Sequence, residues 1–235
     1  LKRIIAQPWG GLGDNLQFST LPELFTTLLG DDVWISSQNA VRNKGIYDLV
    51  WGQNPFVRGA TEEVPNVGSL DVGRLSPENG KDNLIVRWES LYFGTSRNRY
   101  PKIYYTPRYV TRFMDKVVVE TCSHSVRFES YQDRMLEHIM EIASLDDIVR
   151  IVHSHAPENM GEFPDCETFT PGDIFEFADI LYSCRTFIGT ESGASVLAAT
   201  VKKEDANACI HVFCTDKHVR SMMFVFPNQK LIPFM

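Results

Sequence analysis

Apolar residues in this chain come in two kinds of stretch, and the two alternate. Short continuous runs read as buried strands: residues 2–7, 33–35, a third around Val57, 83–88, 117–119, 148–152, 186–188 and 209–214. Between them, apolar residues recur every three or four positions, as on one face of a helix. Leu16, Phe18, Leu21, Leu24, Phe25 and Leu28 make the first such face. Pro22 falls inside it, so that helix either kinks there or starts there. Residues 39–50, 131–143, 174–182 and 194–201 read as further helices. Thr170 followed by Pro171 reads as a capping residue and a first helical position for the helix at 174–182. Residues 59–82 are polar and punctuated by glycine, and look the least ordered. Residues 92–109, rich in tyrosine and arginine, read as a solvated surface with half-buried tyrosines, or as a loop over a cleft.

Strand and helix alternate in both halves, which predicts parallel sheets flanked by helices, an α/β fold. We expect two subdomains, 1–113 and 114–235. Ligands of such sheets bind beyond the carboxyl ends of the strands. Three polar turns occupy those positions, at residues 10–15, 121–127 and 189–193, and are expected to line a cleft between the two halves.

Length and charge narrow the picture. The chain has 235 residues and a formal net charge of −7, spread along the sequence. That balance argues against a nucleic-acid partner, which calls for a basic face. No apolar run approaches the roughly 18 residues of a transmembrane helix, and no signal peptide is visible. The missing initiator Met suggests a trimmed chain, or a domain of a longer polypeptide. The five cysteines show no C-x-x-C spacing, which disfavours structural zinc and fits a reducing compartment, hence the cytoplasm. Cys122, Cys184 and Cys209 read as buried small hydrophobes.

Two turns carry chemistry. Pro8-Trp9-Gly10-Gly11-Leu12-Gly13-Asp14-Asn15 joins the first strand to a helix start. Gly11, Gly13 and Asn15 suit a loop that approaches an acceptor or a phosphate, and Asp14 sits at or near the helix N-cap. Asp14 as a simple cap remains the alternative. Neither G-x-G-x-x-G nor a P-loop is matched. Trp9 could stack on a sugar, or belong to the core. In the second turn, the N–H groups of Ser192, Gly193 and Ala194 open a helix and suit a diphosphate, with Glu191 an acceptor for sugar hydroxyls. The other reading makes Ser192 a cap and Glu191 a surface charge. No G-x-S-x-G surrounds Ser192. His124, His153 and His155 lie at strand ends, but no Asp, Glu or Cys spacing supports a metal site. His155 is a weaker candidate for contact with a nucleotide.

Taken together, GGLGDNLQFSTLPEL near the start and FADILYSCRTFIGTESGASVLAA near the end resemble the heptosyltransferase-type glycosyltransferases, glycosyltransferase family 9. The resemblance implies a GT-B-like fold of two Rossmann-like subdomains with parallel sheets facing a central cleft. It implies an acceptor side at 1–113 and a nucleotide-sugar donor side at 114–235. It matches Asp14 to the family's general base for an inverting transfer. Glu191, Ser192 and Gly193 match its nucleotide site, with Glu in place of Asp. Ser123 and Arg127 stand where the family grips the donor phosphates. Ala194-Ser195-Val196 stand where the family has a His. The implied activity is metal-independent transfer of a sugar from a nucleotide-diphosphate sugar to a hydroxyl of a glycan or glycoconjugate, with no cofactor. Two alternatives stay open: a dinucleotide-dependent oxidoreductase, and a non-catalytic nucleotide-sugar-binding module.

Overall fold

The computed structural model describes residues 1–75, 82–121, 132–153, 163–205, 209–216, 219 and 222–234. The chain divides into two compact units, Leu1–Thr106 with Met222–Phe224, and Pro107–Ser221 with Val225–Met235. The sequence puts the join at 113/114. The structure puts it earlier because the strap after Thr106 is already tied to the second unit. There Arg108 N–H donates to Asp179 Oδ1 and Val110 N–H to Ser183 Oγ, each at 2.8 Å.

The first unit runs β1 (Lys2–Ala6), α1 (Leu12–Leu16), α2 (Leu21–Leu29), β2 (Asp32–Ser36), α3 (Lys44–Tyr47) with a following π turn, β3 (Val57–Thr61), β4 (Val67–Gly68) and α4 (Leu84–Phe93). Its strands pair in the order β3-β2-β1-β4, all parallel. The expected helix over 16–29 is two helices. Pro22 lies in the first turn of α2, where the missing N–H costs nothing, and Gly30 at φ 68° ends that helix. Residues 39–43 are not helical, because Asn43 caps α3 by accepting from Ile46 N–H.

Residues 83–88, expected as a strand, are a helix. The Asn83 side chain accepts from Val86 N–H, and Leu84, Ile85, Trp88 and Glu89 form one buried helical stripe. Glu89 is buried yet fully used. Its carboxylate takes the Arg97 and Asn98 N–H groups, the Ser96 hydroxyl and the Asn98 amide at 2.7–3.0 Å. That anchors the start of the Tyr/Arg-rich stretch. The polar segment after β3 includes β4 and a 3-10 turn over Ser69–Arg74, so it is ordered through there.

The second unit runs β5 (Val117–Glu120), α5 (Gln132–Ile142), β6 (Ile148–Ile151), β7 (Glu167–Phe169), α6 (Ile174–Ser183), β8 (Thr186–Thr190), α7 (Gly193–Val201), β9 (Cys209–Thr215) and β10 (Gln229–Phe234). All six strands are parallel, in the order β10-β9-β8-β5-β6-β7. The three strands β5 to β7 wind one way from β5, and β8 to β10 wind the other. This is the doubly wound order, with its reversal between β5 and β8. α6 is capped by Asp173, which accepts from Glu176 N–H, and not by Thr170. Val117, Val119, Met135, Ile139, Ile148, Ile188 and Phe213 form a core between α5 and the sheet.

At the edge of that core lies a pH-sensitive pair. His211 on β9 is 6% exposed, and its Nδ1 is 2.7 Å from His138 Nε2 on α5. Burial, then His138, then Lys230 push the His211 imidazole from 6.5 down to about 4. Burial likewise lowers His138, with Lys230 adding to it and Glu141 opposing. The folded chain therefore keeps His211 neutral, while the unfolded chain binds a proton below its ordinary value. Stability from this ring is complete above about pH 6.5 and is lost as pH falls toward 4. Urea midpoints measured across that range should show the fall, and His211→Phe should flatten it. An unchanged slope in the variant would rule out this origin.

Candidate functional site

Each unit presents polar groups at the carboxyl ends of its sheet. In the first unit, β1 and β4 are neighbours, with Ala6 in register with Gly68. The loop after β1 is built by buried amides. Gln7 Nε2–H donates to Ala40 O at 2.6 Å, and Gln7 Oε1 accepts Trp9 N–H at 2.7 Å. Asn39 Oδ1 accepts Gln7 N–H. This scaffold leaves Trp9 at the surface, 39% exposed, so it is not a core residue. Asn15 is fully buried. Its amide donates to Gly11 O and Ala40 O, and its Oδ1 accepts from Trp51 Nε1–H and Asn39 Nδ2–H. Asn15 thus holds the loop from inside. Gly13 is buried within α1.

Asp14 is the carboxylate this loop presents. It sits three residues past Gly11, the residue that opens α1, so it is not the N-cap itself. Its Oδ2 accepts Gly11 N–H at 3.2 Å. A Cβ on Gly11 would come within 2.6 Å of that same oxygen, so a larger residue there would displace the Asp14 carboxylate. Asp14 is half-buried, and burial raises its carboxyl above the ordinary range. The Gly11 N–H and the Arg42 guanidinium pull in the opposite direction but do not cancel the effect. A partly desolvated carboxylate with a raised pKa is suited to accepting a proton near neutral pH.

In the second unit the reversal between β5 and β8 makes the crevice where open α/β sheets take ligands. β8 ends in Thr190. Glu191 and Ser192 turn the chain, and α7 begins at Gly193. Glu191 is set by β9: its N–H donates to Phe213 O at 3.2 Å, and its Oε1 accepts the Thr215 hydroxyl at 3.3 Å. Ala194, Ala198 and Ala199 are buried, so α7 lies close on its neighbours. The N–H groups at the start of α7 face away from the helix body and carry its positive end.

Sequence reasoning did not single out Glu120. It ends β5, is 1% exposed, and lies across the reversal from Ser192, whose hydroxyl donates to Glu120 Oε2 at 3.3 Å. His153, just past β6, has Nε2 at 3.6 Å from Glu120 Oε1, and its ring meets Phe177 edge-on. The signal was visible: a carboxylate closing an all-valine strand at its carboxyl end is out of place unless it has work there. Ser123, Arg127 and His155, expected at this site, lie outside the described residues, as do His124 and Cys122. Among the described residues no three of His, Cys, Asp and Glu are grouped to hold a metal, and no helix is long and apolar enough to cross a membrane.

No family model matches the chain, and no curated protein sequence does. Solved structures do match. The iron-containing dodecameric glycosyltransferase TibC from enterotoxigenic E. coli superposes with a TM-score of 0.66 at 19% identity, over 98% of this chain and 63% of that one. The chain thus spans less than two thirds of the TibC length. A glycosyltransferase family 9 protein from Veillonella parvula gives a TM-score of 0.65 at 8% identity, over 100% of this chain and 86% of that one. The E. coli heptosyltransferase WaaC with ADP gives 0.64 at 10% identity, over 100% and 94%. At these identities the likeness establishes the fold, and that fold is the heptosyltransferase-like one, two α/β units each built on a parallel sheet.

Proposed function

We propose that the chain is a glycosyltransferase that moves a sugar from a nucleotide-diphosphate sugar to a hydroxyl of a glycan or glycoconjugate. The observation that carries this reading is the Glu191-Ser192-Gly193 turn at the strand reversal of the second unit, in a fold shared with a structure solved with ADP. A related structure, TibC, was solved with ADP-D-beta-D-heptose. The division of labour follows from the chemistry. Asp14 accepts the proton of the acceptor hydroxyl as its oxygen bonds to the anomeric carbon of the sugar. The bond from that carbon to the diphosphate breaks, and the α7 N–H groups stabilise the charge that develops on the leaving group. Direct attack inverts the anomeric centre. Glu191 binds hydroxyls of the nucleoside, and Trp9 lies against the acceptor. No resident metal or cofactor is part of the proposal. We place the reaction in the cytoplasm, consistent with the free thiols of Cys166, Cys184, Cys209 and Cys214.

Thermal-shift measurements against ADP, UDP, GDP, CDP, dTDP and NAD(P)H, with and without EDTA, test the reading. One nucleoside diphosphate at about 100-fold over its Kd should raise Tm by about 5 °C or more, with EDTA making no difference. A shift with NAD(P)H alone would overturn the transferase reading in favour of a dinucleotide enzyme. Loss of the shift in EDTA would overturn metal independence. Binding of a nucleotide sugar without turnover on any acceptor would mark a non-catalytic module.

A further inference from the structure

We infer that Gln17 is a specificity-determining residue on the acceptor side: its amide takes a hydroxyl of the acceptor sugar next to the one that Asp14 deprotonates, with Thr20 behind it on the same face. This rests on the acceptor-side reading of the Asp14 loop. The chain stays helical from α1 into α2, with Gln17 N–H on Gly13 O, Phe18 N–H on Asn15 O and Leu21 N–H on Phe18 O, at 3.1–3.2 Å. Residues three or four apart then share a face. Asn15 and Ser19 share one face, and Asp14, Gln17 and Thr20 share another. Asn15, Gln17, Ser19 and Thr20 are each at most 1% exposed. The two faces are nonetheless treated in opposite ways. Asn15 bonds through both ends of its amide. The Ser19 hydroxyl donates to Leu16 O at 2.7 Å and accepts Lys102 N–H at 2.8 Å. Gln17 Nε2, Gln17 Oε1 and Thr20 Oγ1 have no hydrogen-bond partner among the described residues. Thr20 stands in the capping position of α2, yet its hydroxyl does not cap it.

A polar group kept from water without a partner destabilises the fold, and buried polar groups are ordinarily bonded. The same short segment bonds Asn15 and Ser19, so its packing is able to satisfy a polar side chain. The face left unsatisfied is the one that carries Asp14. Asp14 is half-buried at the outer end of that face. Side chains on a helix lean toward its N-terminus, so Gln17 leans toward Asp14. The amide is covered in the free chain and is uncovered as the acceptor enters past Asp14. Its desolvation is complete before the acceptor arrives, so binding gains the hydrogen bonds without that cost. The chemistry of the amide selects the ligand. A donor and an acceptor side by side match hydroxyls on adjacent carbons of a sugar, each of which both donates and accepts. An acceptor with a single hydroxyl, such as a serine side chain, would leave the amide unpaired, which a polar site penalises.

Three measurements on the wild-type chain, Gln17→Met and Thr20→Val test this together. Saturation-transfer NMR titrations follow methyl glycosides of hexoses and heptoses, with N-acetylserinamide as a single-hydroxyl probe. Calorimetry follows ADP, and thermal unfolding gives Tm. Gln17→Met removes an unpaired buried amide at nearly constant shape, so Tm should rise by about 2–4 °C. Its glycoside affinity should fall about tenfold while ADP affinity stays within about twofold of wild type. Thr20→Val should also raise Tm and should weaken glycosides about threefold. Higher stability together with lost sugar binding marks a ligand contact, because removing an amide with a structural role lowers Tm. A lower Tm in Gln17→Met, or unchanged glycoside affinity, overturns the inference. A wild-type chain that binds ADP or N-acetylserinamide but no glycoside also overturns it, and ADP binding then leaves the donor reading standing. Glycoside binding without ADP or another nucleoside diphosphate overturns the transferase reading and leaves the Gln17 comparison intact. Binding of no ligand overturns both.

Discussion

Asp14→Asn should lower turnover by about 10²–10⁴-fold while leaving nucleoside diphosphate affinity within about twofold of wild type. The substitution preserves shape. The asparagine Oδ1 can still accept Gly11 N–H, so the loop that Gln7, Asn15 and Asn39 build keeps its form. Only basicity is lost. The same reasoning fixes a pH profile. The base works when ionised, so turnover should fall as pH drops through the Asp14 pKa. Burial moves that limb to higher pH than an ordinary carboxylate gives. Release of nucleoside diphosphate in the presence of acceptor measures both effects. An Asn variant that keeps more than a tenth of wild-type turnover would remove Asp14 from the base role, whatever happens to the donor reading.

Gly68→Ala should cost about 3–5 kcal/mol of stability in the first unit, from backbone strain and overpacking together. Gly68 ends β4 at φ 98°, a conformation that L side chains rarely adopt. A Cβ there would lie 2.4 Å from Ala6 O and 3.1 Å from the Phe18 ring. Ala6 is the last residue of β1, paired to β4 at this register, so its carbonyl has no room to retreat. The conformation is also held by a side chain. Gly68 N–H donates to the Tyr92 hydroxyl at 2.8 Å, and that hydroxyl donates to Asp71 Oδ2 at 2.7 Å. Burial and the neighbouring Asp71 carboxylate keep the Tyr92 hydroxyl protonated well above its usual range. Urea denaturation of the variant, beside Tyr92→Phe as a milder control, provides the measurement. A loss below about 1 kcal/mol would mean that the turn relaxes where the packing says it cannot.

What could be read from the chain alone follows the physics of each segment. Val117–Val119 and the run ending in Thr190 are buried on both faces, so continuous apolarity marked them. α4 was misread because Leu84-Ile85-Val86 is short and apolar. Such a run has no period to tell helix from strand, and the deciding feature is the Asn83 cap. β7 and β10 went unread for the opposite reason. They are the two edges of their sheet. Three half-exposed residues suffice for β7, and β10 carries Pro233, which an edge tolerates and a central strand does not. In the candidate site, the glycine-rich turn is legible as a strand-to-helix turn, while the base role of Asp14 comes from the family resemblance and not from spacing. The structural role of Asn15 depends on a contact across 25 positions of chain that no local pattern encodes; Glu120 is marked locally by closing a valine strand, and only its partner Ser192, 72 positions on, is not.

The return of Met222–Phe224 to the first unit bears on the order in which the protein is made. Leu84 N–H, at the head of α4, is satisfied by Met223 O at 3.0 Å. A ribosome that has emitted only residues 1–106 has delivered a first unit with that partner missing. Domains ordinarily fold as they emerge, the N-terminal one first. Here the first unit is completed only once residues 222–224 have been made, and by then the second has, among the described residues, all its strands but β10. The two halves are thus tied in synthesis as well as in sequence. A split of the gene at the 106/107 boundary would separate the first unit from its own last segment.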